Sequence, residues 1–254
     1  MTSGPQLISS RDNPLLKDLR RLAQDNTAYR KQGQVWLEGD HLCRAALDRG
    51  VTPALAVFSQ NAWDTGPRWA PASTKTVIMA EALFAGISGL ESPAGMGFVI
   101  DLPQPAGLAA GVATVILDRV QDAGNVGSIL RSASAFGFRQ VVALKGTAAL
   151  WSPKVLRAGM GAHFGLQLVE GADTGALADL GVPILVTSSH EGKFLDRQRL
   201  PRPCAWAMGH EGQGISAALA ALADQSVRIA QPGGEESLNV AAAAAICLYA
   251  STVD

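Results

Sequence analysis

From Ala113 onward the chain alternates short, nearly uninterrupted apolar runs with helix-like segments, and this alternation constrains the fold most. Ala113 to Leu117, Gln140 to Leu144, Phe164 to Val169, Pro183 to Thr187, Cys204 to Met208 and Val227 to Ala230 read as strands. Val126 to Phe136, Lys154 to Met160, Thr174 to Leu180, Ile215 to Leu222 and the alanine-rich Val240 to Ala250 read as helices. A strand with one wet face alternates apolar and polar residues, whereas a continuous apolar run is buried on both faces. Helices inserted between such strands predict a parallel sheet covered on each side. Its strands share one carboxyl edge, and ligands bind along that edge.

Polar, glycine-rich turns follow three of these strands: Asp122 to Arg131 (DAGNVGSILR), Gly209 to Gly214 (GHEGQG) and Pro232 to Asn239 (PGGEESLN). None is a common phosphate or nucleophile motif. Gly209, Gly212 and Gly214 give GxxGxG, not the GxGxxG dinucleotide fingerprint, and the chain has no GxxxxGK[ST] loop. It has no GxSxG nucleophile elbow either. The residues alone therefore predict an α/β enzyme whose ligand site is built from three loops near the C-terminus.

The first hundred residues read as a smaller α/β domain. Asn13 and Pro14 open a helix, a capping residue followed by proline at the first helical position. Leu15, Leu16, Leu19, Leu22 and Ala23 form its apolar stripe. Lys17, Arg20 and Arg21, followed by Arg30 and Lys31, are either a solvated face or an edge that touches phosphates. Gln34 to Glu38, Ala54 to Phe58, Thr76 to Met79 and Gly97 to Ile100 read as strands. Asp40 to Arg49 and Ala80 to Ala85 read as helices, and Asn61 to Ala72 as a loop. The expected organisation is a domain over 1–101, a Pro/Ala/Gly-rich linker over 102–111 and a second domain over 112–254.

A net charge of −1 argues neither for nor against a nucleic-acid partner, since binding needs a local patch rather than an overall excess. Cys43, Cys204 and Cys247 are far apart and form no CxxC, which predicts reduced core thiols in a cytoplasmic protein. His41, His163, His190 and His210 lack ligand spacing, so no metal is expected. The start lacks the apolar core of a signal peptide. Val240 to Ala250 is too short to span a bilayer, so no membrane partner is expected.

Taken together and in order, the three turns resemble the signature motifs of the SpoU/TrmH class of SPOUT RNA ribose 2′-O-methyltransferases. Asn125-x-Gly127-x-x-x-Arg131-Ser-Ala resembles the first motif, Gly209-x-Glu211-Gly-x-Gly214 the second, and Glu236-Ser237-Leu238-Asn239-Val240 with its alanine-rich helix the third. Ser152 to Ala158 and Met160 to Phe164 also resemble a segment of this class. Ser10-Arg11-x-Asn13-Pro14 and Leu37-Glu38-Gly39 are similar to a ribosomal-protein-like substrate-binding domain that often precedes the catalytic one.

The resemblance implies a deep trefoil knot in the C-terminal parallel-sheet domain and an RNA-binding role for the N-terminal one. S-adenosylmethionine is the implied cofactor, held near Thr187, Gly209, Gly214, Ile229 and Leu238. Arg131 is the implied catalytic arginine, with Asn125, Glu211, Ser237 and Asn239 around the reacting nucleotide. Each has a plainer reading: solvated arginine, helix cap or loop-ordering group. Arg11, Lys17, Arg30, Lys154 and Arg157 are the implied RNA contacts. His163, Trp36 and Trp151 read as packed residues. A homodimer through the C-terminal region is implied, acting on RNA, with ribosomal RNA favoured over transfer RNA.

Two departures stand out. The class commonly has Ile-Pro-Met before the third motif where this chain has Ile229-Ala230-Gln231, and a serine where it has Gly159. The competing readings are a non-catalytic RNA-binding or ribosome-assembly factor on the same fold, and a small-molecule nucleotide-binding enzyme.

Overall fold

The computed structural model describes residues 4–65, 74–188, 191–197, 199–233 and 237–253, the side chain of Arg197 excepted. Gly234, Glu235 and Glu236 of the third turn, His190, and the 66–72 part of the expected loop lie outside the described residues. Two compact units emerge: Met1–Gln104 with Trp151–Phe164, and Pro105–Leu150 with Gly165–Asp254.

The first unit contains β1 (Gln6–Ile8), α1 (Pro14–Gln24), α2 (Ala28–Gln32), β2 (Gln34–Glu38), α3 (Asp40–Asp48), β3 (Leu55–Ser59), α4 (Gln60–Thr65), β4 (Lys75–Met79), α5 (Glu81–Ala85) and β5 (Met96–Asp101). Its sheet has the order β1-β4-β3-β5-β2, with β1, β4 and β3 parallel and β5 antiparallel to both β3 and β2. Asn13 caps α1 as its sequence predicts, its Oδ1 accepting the Leu15 N–H at 3.0 Å. Leu16, Leu19, Leu22 and Ala23 are buried. Gly97 lets β5 and β2 close: a Cβ there would lie 2.3 Å from the Trp36 ring.

The second unit contains β6 (Thr114–Asp118), α6 (Ala123–Ala135) and β7 (Gln140–Leu144). The chain then runs through α7 (Pro153–Gly159), which belongs to the first unit and packs on α1 and β2. It returns as β8 (Gln167–Ala172), β9 (Ile184–Thr187), β10 (Lys193–Phe194), β11 (Ala205–Gly209), α8 (Ala217–Ala220), β12 (Gln225–Arg228) and α9 (Val240–Ala250). The seven strands are all parallel, in the order β10-β12-β9-β11-β6-β7-β8. One core cluster joins Ile116, Val142 and Leu144 to Ile184, Val186, Ala205, Ala207 and Leu219. Burying a branched aliphatic side chain stabilises by roughly 1.5–3 kcal/mol, so this cluster anchors the sheet's centre. α9 packs against α6 and β11, and Trp206 donates to Ser251 Oγ at 2.8 Å just beyond the helix.

Several elements differ from expectation. Residues 60–65 form helix α4 rather than the start of a loop, held at its N-terminus by Ser59 Oγ and Glu81 Oε1, which accept the Ala62 and Asn61 N–H groups. Thr174–Leu180 is a 3₁₀ helix, and Phe164 lies in a second short one that delays β8 to Gln167. α8 starts only at Ala217 because Ser216 caps it, with Oγ accepting the Leu219 N–H, and it ends at Ala220. β12 ends at Arg228, leaving Ile229 and Ala230 outside the strand.

Candidate active site

The carboxyl ends of β6, β9, β11 and β12 share one edge, and all three polar turns meet there. Asp122 caps α6, its Oδ1 accepting the Asn125 N–H at 2.8 Å. Asn125 is therefore not the cap; its amide is free to join the other two turns. Its Nδ2 donates to Glu211 Oε1 at 3.1 Å, and its Oδ1 accepts from Asn239 Nδ2 at 3.0 Å. Asn239 also caps α9, its Oδ1 accepting the Ala241 and Ala242 N–H groups at 2.9 and 3.2 Å. One asparagine thus ties together segments separated by 86 and 114 residues.

Glu211 gathers more of the first turn. Its carboxylate accepts the Gln121 N–H at 3.1 Å and the Asp122 N–H at 3.0 Å. Desolvation alone would raise its pKa. The hydrogen bonds from the Asp122, Glu211 and Gln121 N–H groups and the Asn125 amide outweigh it, and the carboxyl sits at about 2. It is ionised at neutral pH and behaves as a fixed acceptor, not a proton shuttle.

Beside this network lies a cavity of about 720 Å³, within the range that holds a cofactor-sized ligand. Thr187, Gly209, Gly214, Ile229 and Leu238, the five residues implied as cofactor contacts, all line it, as do Glu211, Ser237 and Asn239. Three features fit an adenosyl ligand. A Cβ on Gly209 would lie 2.4 Å from the Gly214 backbone, so only glycine lets the two chains close around the pocket. Leu238 stays 39% exposed on its wall, an apolar surface without cover. Gln231, also on the wall, has a buried Oε1 with no hydrogen-bond partner among the described residues.

Arg131 is placed differently from expectation. The sequence puts it in the first turns of its helix, but α6 begins at Ala123 and Arg131 falls in the third turn, about 12 Å along the axis. It is exposed, is not part of the cavity wall, and its side chain makes no hydrogen bond or ion pair among the described residues.

Sequence reasoning also missed residues. His210, Gln213, Ile215 and Val240 line the cavity, and Arg119 reaches its rim, yet no spacing rule marks any of them. Arg11, Lys17, Arg30 and Lys154 are exposed and Arg157 is half-buried; because Trp151–Phe164 belongs to the first unit, all five lie on it. Trp36, Trp151 and His163 are buried, the last two with ring centroids 5.2 Å apart. Gly159 has a local cause: a Cβ there would meet His163 Cε1 at 2.5 Å, so the serine common in the class does not fit. The three cysteines are free and buried, and burial pushes each thiol up, Cys247 to about 12. No cluster of metal-binding side chains occurs among the described residues.

The chain resembles known proteins in both sequence and fold. The chain is 30% identical over 248 residues to the 23S rRNA (guanosine(2553)-2′-O)-methyltransferase RlmP of Bacillus subtilis, covering 95% of this chain and 97% of the relative. It superposes on an AdoMet-bound rRNA methyltransferase from Sinorhizobium meliloti with a TM-score of 0.82 and 25% identity, covering 97% of both chains. An RNA 2′-O ribose methyltransferase structure matches with a TM-score of 0.77 and 26% identity, covering 97% of this chain and 98% of the other. Residues 113–249 match the SpoU rRNA Methylase family, and the chain belongs to it: it is an S-adenosylmethionine-dependent RNA methyltransferase.

Proposed function

We propose that this protein methylates a ribose 2′-hydroxyl of ribosomal RNA, in the cavity bounded by the three turns. The Glu211–Asn125–Asn239 chain of hydrogen bonds carries the reading, because it locks all three turns around one pocket wall. Bound there, the cofactor supplies a methyl carbon activated by its sulfonium. The turns hold the adenosyl part by main-chain groups at Gly209 and Gly214 and by the Ile229 and Leu238 side chains. Ser237 and Asn239 face the nucleotide, and Asn125 and Glu211 fix their position.

Arg131 completes the site from the other subunit of a homodimer. A guanidinium is a poor general base at neutral pH. Its planar fork would instead clamp a phosphate of the RNA and position the ribose hydroxyl, so Arg131→Lys loses most of the rate while keeping the charge. Two observations support the dimer: Arg131 is absent from its own chain's pocket wall, and the α9 surface leaves Ile246 39% and Tyr249 55% exposed. Exposed apolar side chains one turn apart on a helix fit a surface that a second copy covers. The parallel order, with β11 inserted between β6 and β9, is compatible with the trefoil knot of this class. Arg11, Lys17, Arg30, Lys154 and Arg157 of the first unit hold the RNA. The setting is cytoplasmic, which the free, buried cysteines support.

Ribosomal RNA is favoured over transfer RNA by the RlmP relative, which matches along nearly its whole length. Mapping 2′-O-methylation in RNA from cells with and without the protein tests this. One ribosomal position loses its mark without the protein; loss confined to transfer RNA overturns the substrate.

A further inference from the structure

The loop His210 to Gly214 forms much of the cavity wall and closes on itself through paired His210 and Gly214 backbone hydrogen bonds of 3.1 and 2.8 Å. Glu211 ties one side of this loop to the start of α6. A separate tether holds the other side. Arg119, the residue after β6, donates from Nη1 to Gln213 Oε1 at 2.8 Å and from Nη2 to the Gly214 carbonyl at 3.4 Å. Its Nε donates to Asp118 Oδ1 at 3.1 Å, and buried Asp118 accepts the Ser216 N–H through Oδ2 at 2.5 Å. Arg119 therefore spans from the end of a central strand to the tip of the loop.

The backbone shows that this reach is imposed on the residue. Arg119 has φ +60, a left-handed conformation that disfavours any side chain but suits glycine. Two neighbours hold it there. Thr147 Oγ1 accepts the Arg119 N–H at 3.1 Å and donates to the Leu117 carbonyl at 2.9 Å. Gly146 leaves room for the arginine stem: a Cβ there would lie 3.2 Å from Arg119 Cγ. A position whose backbone suits glycine instead carries a long side chain with all its polar ends engaged.

We propose that Arg119 is a positioning residue for cofactor binding: it latches the Gln213–Gly214 rim so that the cavity is pre-formed before S-adenosylmethionine arrives. This rests on the cavity being the cofactor site. Ordering the rim in advance removes an entropic cost from binding, so the latch acts on cofactor affinity and not on the chemical step. Arg119 is not among the residues that line the cavity.

The test is a double-mutant cycle on Arg119→Gly and Gln213→Ala, read by calorimetric titration with S-adenosylmethionine and by steady-state kinetics. Arg119→Gly keeps the left-handed backbone without strain. It is expected to weaken cofactor binding and raise the cofactor KM by about tenfold, with kcat at saturating cofactor within about twofold. Gln213→Ala leaves Asp118 and Arg119 paired, so it tests the latch without disturbing the strand end. It is expected to weaken binding about threefold alone and to have no further effect in the Arg119→Gly background. Independent, multiplying effects would mean that Gln213 contacts the cofactor directly and overturn the latch, as would unchanged affinity in Gln213→Ala. Gly209→Ala serves as the control for the cavity. If it abolishes binding while the latch variants do not change it, the latch alone is wrong. If it too binds normally, the cavity is misplaced and the latch fails with it.

Discussion

Replacing Asn125 with alanine removes two hydrogen bonds at once and strands the partners of both. Glu211 loses one of its donors, and Asn239 Nδ2 loses its acceptor, while Asp122 still caps α6 and Asn239 still caps α9. A bond to an ionised group is worth roughly 1.5–3 kcal/mol and a neutral one roughly 0.5–1.5 kcal/mol. The site is open to solvent, so the low ends apply, and the expected loss is about 2 kcal/mol. For a domain of this size that corresponds to a melting temperature lower by about 4–8 °C. If the loosened turns raise the barrier to methyl transfer by the same amount, the rate falls by about thirtyfold. Thermal melting and transfer of labelled methyl to RNA read the two effects separately. Asn125→Ala combined with Glu211→Gln should cost less than the sum of the single changes, because they share one bond. A melting temperature within 1 °C of the parent and a rate within about twofold would refute the claim that Asn125 is the hub.

Three further outcomes follow from the same geometry. The Glu211 carboxyl has its pKa lowered to about 2 from an ordinary 4.5, so the unfolded chain binds more protons between those values. Its contribution to stability is complete above pH 4.5 and disappears as pH falls through about 2; chemical unfolding of the parent and Glu211→Gln across that window should converge toward low pH. Gly159→Ser should lower the melting temperature by its clash with His163, and adding His163→Ala should recover part of the loss; an unshifted melting temperature would contradict the packing account. Ile246→Asp on the exposed α9 surface should give monomers in analytical ultracentrifugation and abolish methyl transfer while far-ultraviolet circular dichroism is retained; an active monomer would remove the partner from the site.

The parallel sheet is legible because its central strands, β6, β7, β9 and β11, are buried and carry unbroken apolar runs; β7 and α9 fall on the expected residues. The three turns were legible because glycines and small polar residues interrupt those runs. Elements with little buried surface left no pattern. In β1 only Ile8 is buried, and β10 has two residues, so neither offers a period. The sequence pattern places the start of α6 three residues late because Ala123, Gly124 and Asn125 look like a turn; Asp122 and its bond to the Asn125 N–H make them the first helical turn. That displacement is also why Arg131 was expected nearer the sheet edge. The hydrogen bonds of Asn125 with Glu211 and Asn239, and the reach of Arg119 to Gln213, join residues far apart in the chain, and no local spacing encodes them.

In the proposed reaction a methyl group passes from S-adenosylmethionine to a ribose oxygen. A 2′-O-methyl blocks alkaline cleavage of the adjoining phosphodiester, because the neighbouring hydroxyl that attacks the phosphate is gone. Unmodified ribosomal RNA incubated with the purified protein and methyl-labelled cofactor, then hydrolysed completely in alkali, distinguishes the alternatives. Recovery of the label in alkali-resistant dinucleotides is expected. Label recovered in mononucleotides would place the methyl on a base and contradict the proposed reaction.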